Sequence, residues 1–148
     1  MIADTRTNAG LDNVSTFRKL HVFSDPGERI MAIASAGNLA ISQSVISNLS
    51  EGLVNPETGE TETLLNAPTM FQAAQRIGRA VRHVNMTEGR VLQAEDINFD
   101  VSFLFGGQIK DRRMRLFMIY PAGNFIECTI DTPYLQIGEH KYGKPILD

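Results

Sequence analysis

Apolar and polar positions change their spacing several times along the chain, and each change marks an element. Residues 17–23 alternate, with Phe17, Lys19, His21 and Phe23 on one side, and predict a short strand. Asp25-Pro26-Gly27 is a tight turn. Residues 29–36 form an unbroken apolar run bounded by turn residues, the pattern of a buried strand, so 17–36 predicts a β-hairpin. After Gly37-Asn38 the spacing becomes helical. Leu39, Val45, Ile46, Leu49 and Leu53 share a face, Asn38 is placed to cap the start, and Gly52 with Asn55-Pro56 ends the run. Residues 55–63 are a polar, acidic loop. A second helix starts near Thr69, where Thr69 and Gln72 have capping-box spacing. Phe71, Ala74, Ile77, Val81 and Val84 form its apolar stripe, while Arg76, Arg79 and His83 read as a solvated face or a subunit contact.

Residues 87–98 read as a connection to a run of strands. Phe99, Val101, Phe103 and Phe105 alternate with Asp100 and Ser102, and Gly106-Gly107 predicts a bulge or a close backbone contact. Further strands are expected at 114–120, 125–130 and 134–138. Residues 1–16 are polar and turn-rich, with no element expected there. The predicted order is hairpin, two helices, antiparallel meander. This is an α+β arrangement with one helical layer, which leaves the other face of the sheet uncovered.

Composition narrows the class. The chain has 148 residues, 43% hydrophobic and 21% charged, with a net charge of −3. That is the make-up of a globular domain rather than of disorder. Charges of both signs are interspersed, so no nucleic-acid partner is expected. No apolar run approaches the roughly 18–20 residues that span a bilayer, so no membrane partner is expected either. The N-terminus lacks the charge and apolar core of a signal peptide. The one cysteine, Cys128, fits a reducing cytoplasm. His21, His83, His140 and Cys128 are scattered without metal-ligand spacing. No nucleotide-binding motif occurs, so no cofactor is expected.

The first forty residues carry the candidate chemistry. Asp4 precedes a polar turn, Lys19 lies at the start of a short strand, and Gly37 joins a buried strand to a helix. An ammonium group can lower the pKa of a nearby hydroxyl or amine, a carboxylate can hold that ammonium in place, and a backbone N–H at a helix start can donate to an oxyanion. Spacing alone is equally consistent with a surface Asp–Lys pair and a glycine needed for packing.

The segments Asp4-Thr5-Arg6-Thr7-Asn8-Ala9-Gly10-Leu11-Asp12-Asn13, Thr16-Phe17-Arg18-Lys19-Leu20-His21-Val22-Phe23 and Ala36-Gly37-Asn38-Leu39-Ala40 resemble the signature of the Anbu family. Its members are bacterial relatives of the proteasome β-subunit and the HslV peptidase. Tyr134-Leu135-Gln136-Ile137-Gly138-Glu139 and Lys141-Tyr142-Gly143-Lys144-Pro145-Ile146-Leu147-Asp148 resemble the same family. The resemblance implies an N-terminal-nucleophile hydrolase fold, a four-layer αββα sandwich, of which residues 1–148 would be one partial domain. The first strand with its nucleophile, and the last helices and strands, would be missing. It also implies that Asp4 is the motif aspartate, Lys19 the lysine beside the nucleophile and Gly37 the oxyanion glycine. Gly138-Glu139 falls where proteasome subunits place a Gly-Ser that contacts the terminal amine. Peptide or unfolded-protein substrates and homo-oligomerisation would follow. The expected function is hydrolysis of peptide bonds by an N-terminal threonine or serine, with the chain as written inactive. The alternative is a non-catalytic structural subunit of such an assembly. A small α/β binding domain unrelated to peptidases is a third reading.

Overall fold

The computed structural model describes residues 1–3, 7–9, 12–14 and 17–138. Two short paired strands, β1 (Thr7–Ala9) and β2 (Asp12–Val14), lie in the region expected to hold no element. Three residues each is too little to raise a period-2 signal against the surrounding polar sequence. The hairpin follows as β3 (Leu20–Asp25) and β4 (Arg29–Gly37), closed where the Glu28 N–H donates to the Asp25 carbonyl at 2.9 Å. β3 starts three residues later than the alternation from Phe17 predicted.

α1 (Leu39–Glu51) begins as expected: the Asn38 side chain accepts from the Ile41 N–H at 3.2 Å, and Gly52 closes the helix. The loop expected at 55–63 instead holds a small hairpin, β5 (Leu53–Val54) with β6 (Thr61–Glu62). α2 (Met70–Ala94) is capped by Thr69, whose hydroxyl accepts from the Gln72 N–H at 3.1 Å. It runs through most of the segment read as a connection. The sheet is completed by β7 (Val101–Ile109), β8 (Arg115–Ile119) and β9 (Phe125–Glu127), in the order β3-β4-β7-β8-β9 with every pair antiparallel.

Both helices lie on one side of this sheet. Met31 and Ile33 of β4, Phe103 and Phe105 of β7, and Phe117 and Ile119 of β8 are fully buried against Val45, Ile77 and Val81 of the helices. Phe125 bridges the layers, edge-on to both Phe71 of α2 and Phe117. A fully buried phenylalanine or isoleucine stabilises by about 1.5–3 kcal/mol. These six alternate strand positions are therefore what fixes the register of the sheet.

Two further expectations need correcting, and a third resolves to one of its two alternatives. Arg76 and Arg79 are not a solvated stripe. Both reach Glu62, and Arg76 also donates to the Thr63 carbonyl at 2.6 Å, so the β5–β6 hairpin is fastened to α2. Gly106-Gly107 is not a bulge, because the register runs unbroken through both residues. Gly107 is instead a close contact: a Cβ there would lie 2.8 Å from the Met31 Cα. Residues 133–138 form no strand. The chain leaves β9 through a turn in which the Thr129 N–H donates to the Thr132 carbonyl at 3.1 Å.

Candidate functional site

The sheet brings two of the three predicted residues to one corner. The β3–β4 ladder continues one residue beyond β3, because the Ser35 N–H donates to the Lys19 carbonyl at 2.9 Å. Gly37 lies two residues further along β4, about 7 Å at strand spacing. Successive N–H groups of an extended strand point to opposite sides. The Gly37 N–H therefore points to the same side as that of Ser35, towards the edge where Lys19 lies. The Asn38 N–H points the other way and donates to the Asp100 carbonyl at 2.7 Å, the last bond between β4 and β7. Gly37 is exposed at this corner. Lys19 and Gly37 thus share one end of the β3–β4 pair.

Local geometry explains why position 37 is glycine. Its φ is 101°, a backbone conformation that L side chains rarely adopt. A Cβ there would also lie 2.9 Å from the Asp100 carbonyl carbon and 3.0 Å from the Val101 Cα. The glycine is thus required for backbone fit, whatever its N–H does. The packing reading of Gly37 left open by the sequence therefore holds.

Asp4 lies outside the described residues, as does Glu139. Gly138 does not: a Cβ on it would sit 3.3 Å from the Cβ of Ala36, beside Gly37. Residues about a hundred positions apart in sequence therefore meet at this corner. Two positions beyond Lys19, the His21 imidazole is held below its ordinary pKa by burial and by the Arg18 charge, against an opposing backbone hydrogen bond at Arg18.

Nothing else in the described residues competes for the chemistry. No group of three or more His, Cys, Asp or Glu residues among them could hold a metal ion. Cys128 is half-buried, with its thiol donating to the Thr132 carbonyl at 2.8 Å. No helix among them is long and apolar enough to cross a membrane. A cleft of about 480 Å³ exists, but it lies on the uncovered face of the sheet. Met1, Ile30, Gly106, Leu116, Cys128 and Pro133 line it, and it includes neither Lys19 nor Gly37. Two features of the corner had no sign in the sequence, the Asp100 carbonyl and the approach of Gly138, because they depend on strand pairing and chain return.

No family model and no curated protein matches the chain. Solved structures do. The chain is 53% identical to Anbu from Hyphomicrobium sp. strain MC1, with a TM-score of 0.79, covering 98% of this chain and 58% of that one. It is 51% identical to Anbu, described as an ancestral β-subunit, from Yersinia bercovieri, with a TM-score of 0.82 and the same coverage. It is 44% identical to the Pseudomonas aeruginosa protein solved as a helical assembly of the Anbu complex, with a TM-score of 0.84, again over 98% and 58%. The chain therefore spans a little under three fifths of the length of these relatives.

Proposed function

The chain belongs to the Anbu family over the region it shares with those structures, and from that membership we propose that it serves proteasome-type hydrolysis of peptide bonds. The reading rests on one observation above all: Lys19, just before β3, and the exposed Gly37 share a corner of the sheet. In this reading the Lys19 ammonium lowers the pKa of a terminal hydroxyl or amine placed there. Asp4 holds the ammonium in position. The Gly37 N–H donates to the oxyanion that forms when the hydroxyl attacks a peptide carbonyl. Gly138, against Ala36, borders the same space. The substrates are peptides or unfolded protein, the setting is the cytoplasm, and the working form is a homo-oligomer. No nucleic acid, membrane or cofactor takes part.

The mechanism needs a hydroxyl and a free α-amine on one N-terminal residue. A second reading, a structural subunit without catalysis, is favoured by the helical assembly formed by the P. aeruginosa relative. Hydrolysis of fluorogenic peptides by the protein purified from its own cells separates the two. Turnover that is lost in Lys19→Ala supports the peptidase. Absence of turnover supports the structural subunit.

A further inference from the structure

We draw no further inference here: the strongest candidate, the β5–β6 hairpin with exposed Val54, Glu57 and Glu60, is an acidic cluster for which nothing in the structure shows what covers it.

Discussion

Replacing Gly37 with alanine adds one methyl group at the point where β4 meets β7 and α1. Two costs follow. An L-residue at φ 101° costs about 1–2 kcal/mol. The new Cβ would also lie within 3.0 Å of both the Asp100 carbonyl carbon and the Val101 Cα. Neither strand can yield easily, because β4 and β7 are paired along nine consecutive residues. Such overpacking costs about 1–3 kcal/mol. The expected loss is about 2–5 kcal/mol, a large share of the roughly 5–15 kcal/mol that holds a domain folded. Gly27→Ala provides the comparison, since Gly27 has φ 83° and a Cβ there would meet nothing within 4 Å. It bears the conformational cost alone. Urea unfolding followed by circular dichroism should show a lower midpoint for Gly37→Ala than for Gly27→Ala, at similar slope. Equal midpoints would refute the steric part of the reasoning. A Gly37→Ala midpoint matching the parent would refute all of it.

Two further predictions concern packing and pH. Gly78→Ala should destabilise by about 1–3 kcal/mol in the same assay, although alanine is the better helix former by about 1 kcal/mol, because the added methyl overpacks a tight contact. The β8–β9 turn rests on α2 at that residue, so the new Cβ would collide with the Gly123 carbonyl, which Arg82 also holds at 3.1 Å. Acid should weaken the fold through two carboxylates. Burial opposes ionisation of Glu62, but Asn55, Arg79 and Arg76 outweigh it and hold its pKa below the ordinary 4.5. The bidentate Arg115 hydrogen bonds, at 2.7 Å each, do the same for Glu127, with the Arg113 charge adding to them. Groups with depressed folded-state pKa values stabilise fully above their unfolded values, and that stability is lost as pH falls through the folded values. Unfolding free energy should therefore drop below about pH 4.5, and Glu62→Gln with Glu127→Gln should flatten the drop. A parent protein whose stability is unchanged down to pH 3 would contradict this.

Where a segment's own residues decide its structure, the sequence was readable. Asn38 and Thr69 cap their helices as expected, because a cap is a contact three residues long. The alternation at Val101, Phe103 and Phe105 located β7, since burial on one face leaves a period-2 trace. The misreadings involve partners distant in sequence or elements without a periodic face. The end of α2 carries exposed Met86 and Val91 and touches the core only through Leu92, so its helicity rests largely on good helix formers such as Glu88, Arg90 and Gln93. Arg76 and Arg79 looked solvated because nothing local announces Glu62 on the other side of a hairpin. Residues 134–138 alternate, but alternation without a partner strand makes no ladder. Of the candidate site, Lys19 and Gly37 were legible through the family signature, and their proximity follows from the β3–β4 register. The Asp100 carbonyl and Gly138 were not legible, because they arrive through topology.

If Lys19 and Gly37 serve one reacting hydroxyl, removing the ammonium must remove the activity. Peptide turnover by the protein purified from its own cells, measured beside its Lys19→Ala variant with folding confirmed for both, tests this most directly. Hydrolysis is expected from the parent, with at least a hundredfold loss in the variant, the low end of what a general acid–base or activating group contributes at about 10²–10⁴-fold. Equal turnover by the two proteins would contradict it.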